Sequence, residues 1–169
     1  MNSRLEWLQE RQKGIGGSDA PIVVMGEYYG KTVQDLFYEK INPIIDSEPN
    51  ADMRRGIRQE PIAAQLFEDQ SGLKVRRVNK ILTHPKHKFM LANIDREILN
   101  QDSILEIKCP RYMTFSKWKR EGIPEGPIIQ GQHYLAIKGK GKVIYGIFCA
   151  EIDELMIVPI NVMIAWLKC

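Results

Sequence analysis

Cysteine is scarce in this chain: Cys109, Cys149 and Cys169 lie far apart, are odd in number and form no CxxC pair. That excludes a disulfide framework and a structural zinc site built on thiolates. His84, His87 and His133 show no metal-ligand spacing either, and His133 reads as a helix-surface or core residue rather than a catalytic one. Long apolar runs are missing too. The most apolar stretch, Leu155 to Leu167, is too short for a membrane span, is interrupted by Pro159 and Asn161, and reads as a strand followed by a terminal helix. Met1 to Lys13 is charged and lacks the apolar centre of an export signal, so a cytoplasmic location and no membrane association are expected.

What remains is an ordinary globular composition. At 169 residues and 44% hydrophobic, the chain fits one domain, residues 1–169, with a proper core. The net charge of +3 is modest, but basic residues gather: Arg54, Arg55 and Arg58; Lys74, Arg76 and Arg77; Lys108, Arg111, Lys117, Lys119 and Arg120; Lys138, Lys140 and Lys142. Charge runs are usually solvated faces, yet three of these four groups flank the motifs described next, which favours phosphate contacts for some of them.

Hydrophobic periodicity and turn residues predict helices near 3–12, 18–25, 32–41 and 51–71, then strands near 74–83, 89–98 and 103–109. A helical segment over 114–121, a helix from Pro127 to Gly139, and strands near 142–150 and 155–160 complete the order. Thr32 with Asp35 forms a capping pair, and Asn42-Pro43 stops that helix. Asp46 to Asp52 reads as a mobile loop. Trp118 and Tyr112 are candidates for base stacking, but a Trp in an amphipathic segment is more often core.

The informative stretch is Asn93-Ile94-Asp95 followed by Glu106-Ile107-Lys108. The runs 89–99 and 103–109 are β-prone and separated by the turn residues Asn100-Gln101-Asp102, as in a hairpin. Side chains two apart on a strand share a face, so Glu106 and Lys108 emerge together and Asp95 reaches them from the partner strand. Two carboxylates with the intervening Ile107 carbonyl suit a small hard cation such as Mg²⁺, with Lys108 where a water would attack. Alone, so short a pattern is equally at home in a solvated cross-strand charge network.

Further motifs occur in order. Arg11 precedes Gly14-Ile15-Gly16-Gly17-Ser18-Asp19-Ala20. Arg54-Arg55-Gly56-Ile57-Arg58-Gln59-Glu60 opens a long amphipathic helix, and Trp118 is followed by Ile123-Pro124. Gln130-Gly131-Gln132-His133-Tyr134-Leu135-Ala136-Ile137 lies on the downstream helix. This set, from Arg11 to about Ala150, resembles the YqaJ-type phage recombination exonucleases, relatives of lambda exonuclease in the PD-(D/E)XK nuclease superfamily.

The resemblance implies a restriction-endonuclease-like α/β core, a mixed sheet flanked by helices. It also implies Mg²⁺-dependent exonuclease activity, 5′ to 3′ on double-stranded DNA ends, with Mn²⁺ as a substitute ion. Asp95 and Glu106 match the metal carboxylates, Lys108 the lysine beside the attacking water, Glu60 the helical glutamate, and Gln130 the glutamine that orients the site. Ile-Asp-Arg stands where the superfamily's name has Pro-Asp. Arg11 and Ser18 match an arginine and a serine that help hold the 5′ phosphate. Glycines 14, 16 and 17 would let amides approach that anion, and Ser18 would cap a helix starting at Asp19; a Gly-rich turn with a routine cap is the competing reading. Asn93 and Arg111 are further candidates for this pocket. A single-strand annealing protein is the expected partner, and a homo-oligomer is compatible with the family. An endonuclease or resolvase on the same fold, and a non-catalytic DNA-end-binding module, are the alternatives. Intact Glu60, Asp95, Glu106 and Lys108 count against the last.

Overall fold

A computed structural model describes residues 4–44, 48–139 and 141–161. Lys140, the first part of the Asp46–Asp52 loop and the terminal helix expected towards Leu167 lie outside the described residues.

The helices are α1 (Arg4–Gln12), α2 (Ala20–Met25), α3 (Val33–Ile41), α4 (Ala51–Ser71), α5 (Tyr112–Glu121) and α6 (Glu125–Lys138). Their ends follow local chemistry. Thr32 and Asp35 form a full capping box on α3, and the Asn50 side chain accepts the Met53 amide at the start of α4 at 2.9 Å. Gly72 and Gly139 close α4 and α6 in the left-handed region. None of these helices is long and apolar enough to cross a membrane.

A two-stranded ribbon of β1 (Glu27–Tyr28) and β2 (Lys31–Thr32) precedes α3. The main sheet has five strands in the order β3 (Val75–Arg77), β6 (Arg96–Ile98), β7 (Ser103–Lys108), β8 (Lys142–Cys149) and β9 (Glu154–Asn161). Only β7 and β8 pair in parallel, joined through α5 and α6, so the sheet is mixed. Alternation along β7 and β8 splits the core in two. Leu105, Ile107, Ile144 and Phe148 pack with Ala63, Ala64 and Phe67 of α4, whereas Ile104, Val143, Tyr145 and Ile147 pack with Phe115, Trp118, Tyr134 and Leu135 of α5 and α6. Trp118 is therefore core.

Two expected strands are broken. The 74–83 run divides into β3 and β4 (Leu82–Thr83), and the 89–98 run into β5 (Leu91–Ala92) and β6. The two halves still pair antiparallel, β4 with β5 and β3 with β6. Asn79 and Asn93-Ile94-Asp95 sit at the breaks, where Asn and Asp are poor strand formers and favour local turns. The second break has a consequence for the site: Asp95 lies in a bend before β6, not part-way along a strand.

Candidate active site

Glu106 and Lys108 lie on the face of β7 that meets α6, and α6 brings Gln130 against them. The Lys108 ammonium donates to Glu106 Oε1 at 2.9 Å and to Gln130 Oε1 at 2.8 Å. Gln130 Nε2 donates to Glu106 Oε1 at 2.7 Å and to the Tyr134 hydroxyl at 2.9 Å. An ammonium can only donate and a carboxylate only accept, so the amide has one workable orientation and braces both charges. Asp95 is anchored from its bend: its Oδ2 accepts the Ile107 amide at 2.9 Å. Asp95, Glu106 and Lys108 thus meet at the C-terminal end of β7.

Burial governs the electrostatics. Glu106 is 3% exposed, and its Oε2 is buried with no hydrogen-bond partner. Desolvation, then the charge of Glu106, pushes Asp95 well above the ordinary carboxylate range. Desolvation also raises Glu106, against the opposing pull of Lys108. For Lys108, desolvation would lower the pKa, but Glu106 outweighs it and keeps the ammonium. Tyr134 is 4% exposed, and burial followed by the Glu106 charge keeps its hydroxyl protonated.

Glu60 reaches the site from the opposite layer. Arg96 pairs across the strands with Leu105 and so faces α4. It is 7% exposed, and its Nη1 donates to Glu60 Oε1 at 2.5 Å and to the Asp95 carbonyl at 2.9 Å. Among the described residues, no group of three His, Cys, Asp or Glu side chains stands ready to hold a metal. The donor set nonetheless fits a hard divalent cation. Two desolvated carboxylates adjoin, one oxygen is buried and unpartnered, and Mg²⁺ takes only one or two carboxylates while keeping several waters. Asp95 and Glu106 would hold the ion beside Ile107, while Glu60 is engaged by Arg96 and adds to the charge felt by Asp95.

A cavity of about 200 Å³ opens onto these acids, lined by Asp95, Glu106, Gln130 and Tyr134 and, from α1 and the loop that follows it, by Trp7, Arg11, Gly17 and Ser18. Asn93 lines it as well. Arg11 Nη2 donates to Ser18 Oγ at 2.9 Å while its guanidinium lies over the Trp7 ring, 4.6 Å from the centroid.

The glycine loop departs from its sequence reading. The N-cap of α2 is Asp19, not Ser18, and it makes no side-chain capping bond. The Gly16 amide is already taken by Asp19 Oδ2 at 3.0 Å, and the same oxygen receives Lys40 Nζ at 2.7 Å. Gly14 and Gly17 serve close packing. A Cβ on Gly17 would fall 2.1 Å from the Tyr134 ring, and one on Gly14 2.2 Å from the Phe89 carbonyl oxygen.

Arg54, Arg58 and Arg111 are not among the residues lining the cavity. Arg54 donates to the Pro49 carbonyl, Arg58 is exposed on α4, and Arg111 precedes α5 and pairs with Asp52 at 3.4 Å. His133 is structural: buried, with Nε2 against the Leu91 carbonyl at 3.0 Å. Burial and then the Glu60 and Asp95 charges push the Cys109 thiol up to about 11, so it stays a poorly reactive thiol. Sequence reasoning missed Arg96, Trp7 and Tyr134. Tyr134 had a signal, since it lies four residues from Gln130 on one helix face; nothing in the sequence marked Arg96 as buried.

Solved structures share this fold. The alkaline exonuclease of Laribacter hongkongensis, known also in complex with dAMP, superposes with a TM-score of 0.80 at 22% identity over 95% of this chain and 84% of that one. A phage-related exonuclease from Haemophilus somnus gives a TM-score of 0.64 at 14% identity over 92% of this chain and 87% of its own. YqaJ of Bacillus subtilis is 45% identical over 138 residues, 81% of this chain, which spans only 43% of that relative's length. Residues 6–141 match the model of the YqaJ-like viral recombinase domain, and the chain belongs to that family.

Proposed function

We propose that this domain, taken as one unit over residues 1–169, is a Mg²⁺-dependent DNA exonuclease that hydrolyses phosphodiester bonds from double-stranded ends, 5′ to 3′. The observation that carries the reading is the adjoining pair Asp95 and Glu106, with the Glu106 Oε2 buried and unpartnered while Lys108 braces its Oε1. A pure DNA-binding module gains nothing from a buried Glu106 with a second carboxylate, Asp95, adjoining it beside phosphate. The exonuclease fold of the solved neighbours supports the same reading.

The divalent ion, when bound, would supply Lewis-acid stabilisation of the phosphoryl charge and a nucleophilic water at neutral pH. The chain's own groups do the rest. Lys108 holds positive charge where negative charge develops, Gln130 fixes the Lys108–Glu106 geometry, and Arg11 with Ser18 offers donors to a terminal 5′ phosphate. Arg58 and Arg111, both exposed, would meet phosphates outside the cavity. The single-stranded product would suit an annealing partner. End-labelled linear duplex should be degraded with Mg²⁺ or Mn²⁺, while Ca²⁺ should permit binding with poor turnover, its longer bonds misplacing the water. Full activity in excess EDTA, or cutting of covalently closed circles at the linear rate, would overturn the proposal.

A further inference from the structure

No acidic residue occurs between Asp69 and Asp95, whereas Lys74, Arg76, Arg77, Lys80, Lys86 and Lys88 all fall in that interval. Ion pairing divides these cations. Lys74 is taken by Glu68 and Arg76 by Glu97. Among the described residues no carboxylate pairs with Arg77, Lys80, Lys86 or Lys88, all of them exposed. The basic residues of α5 behave differently: Lys117, Lys119 and Arg120 each have a glutamate partner. Uncompensated positive charge is therefore concentrated on the β4–β5 hairpin and its approach.

This hairpin is held in place. His84 Nδ1 accepts the Lys86 and His87 amides at 3.1 and 2.9 Å, and the Met90 amide donates to the His87 carbonyl at 2.9 Å, so the tip has one shape. Below the tip, Ile15 donates to the Phe89 carbonyl at 2.6 Å and accepts from Leu91 at 2.8 Å, joining the hairpin to the loop that carries Ser18. Ile81 and Leu91 of the same segment line the cavity of Asp95 and Glu106. Desolvation, and then the charges of His87, Lys86 and Lys88, depress the His84 pKa.

We propose that the β4–β5 hairpin is an arm that grips duplex DNA outside the cavity, with Lys80, Lys86 and Lys88 on the phosphate backbone. The inference rests on the nuclease reading for its substrate class. Duplex DNA presents one charge per roughly 1.7 Å of axis, and unpaired cations on a rigid support answer it by position rather than sequence. Single-strand sites interleave cations with stacking aromatics. Here Phe89 is the one Phe, Tyr or Trp between Asp69 and Asp95.

The test is the triple variant Lys80→Ala, Lys86→Ala, Lys88→Ala. Binding of a labelled 5′-phosphorylated duplex is followed by anisotropy in Ca²⁺ over a NaCl series, and cleavage is followed in Mg²⁺. Duplex affinity should fall about tenfold or more, and the slope of log K against log salt should become shallower by about 0.9 for each lost contact. The matching triple Lys→Arg variant should keep the wild-type slope. Unchanged affinity and slope in the alanine variant, with wild-type cleavage intact, would overturn the arm and leave the nuclease reading standing. Wild-type protein that binds duplex but never cleaves would sink the nuclease reading, while the salt slope still decides the arm. Wild-type protein that binds no duplex overturns both.

Discussion

The two walls of the cavity are built by opposite means. On one, Glu106 from a central strand is buried and held by Gln130 from α6, the pair braced by the partly exposed Lys108. On the other, Ser18 is exposed and Arg11 half-buried, held by one hydrogen bond and the Trp7 ring. Charges removed from water are costly unless braced, and they are worth most where a reaction creates charge. Donors left near water must part from their partner when a phosphate arrives. The buried wall is suited to chemistry and the wetter wall to recognition.

The largest effect should come from cutting the buried wall. Asp95→Ala, Glu106→Ala and Lys108→Ala should each lower initial cleavage rates by on the order of 10²–10³-fold or more. Stability should fall as well in one case: Glu106→Gln should lower Tm, because it leaves the Lys108 ammonium without its carboxylate partner. Near-wild-type turnover by folded Glu106→Ala would dissolve the distinction between the walls.

Next comes the seam between them. Gly17→Ala would drive a methyl into the Tyr134 ring, whereas a methyl on Gly16 would sit 3.5 Å from Asp19 Oδ2, an ordinary contact. Gly17→Ala should cost about 1–3 kcal/mol in chemical denaturation and reduce cleavage through the displaced Tyr134–Gln130 bond. Gly16→Ala should be nearly silent in both measurements. Equal behaviour of the two variants would show that the walls are not coupled at this point.

A smaller effect tests the wetter wall. If Arg11 and Ser18 read a terminal phosphate, wild-type protein should degrade 5′-phosphorylated duplex faster than 5′-hydroxyl duplex. Arg11→Ala should reduce that preference roughly tenfold, the scale of one charge-assisted hydrogen bond. Residual cleavage should persist, since the acids are untouched. A rate ratio of one for the wild-type protein would remove the end-recognition role.

The buried wall was the more legible in sequence. That Glu106 and Lys108 share a face follows from strand periodicity, the place of Gln130 comes from the family resemblance, and α4 follows from its apolar positions, whereas its Asn50 cap reads as part of a loop. The bend at Asn93–Asp95 was not legible, because the apolar run continues through it and only tertiary packing shows that Asp95 must leave the strand to reach the Ile107 amide. The Arg96 partner of Glu60 was not legible either, because no local pattern reveals that Arg96 is buried against it. The glycine loop was the least legible. Its composition fits anion binding, but the need for Gly14 and Gly17 comes from Phe89 and Tyr134, residues far away in sequence.

The smallest predicted effect concerns His133, whose Nε2 lies against the carbonyl of the cavity-lining Leu91. Burial depresses its pKa below the ordinary imidazole value, against the opposing hydrogen bond to Leu91. The folded state therefore prefers the neutral ring more than the unfolded chain does. Above the unfolded value, near 6.5, both states are neutral and the contribution to stability is fully present. As pH falls below that value the unfolded chain takes up the proton first, and stability is lost until the folded pKa is passed. Tm should accordingly fall modestly from pH 7 to pH 5. His133→Gln, which keeps a donor for Leu91 but cannot titrate, should start lower at pH 7 and show a flatter profile over the same range. A slope identical to the wild-type protein's would assign the acid sensitivity to other groups and leave His133 as packing alone.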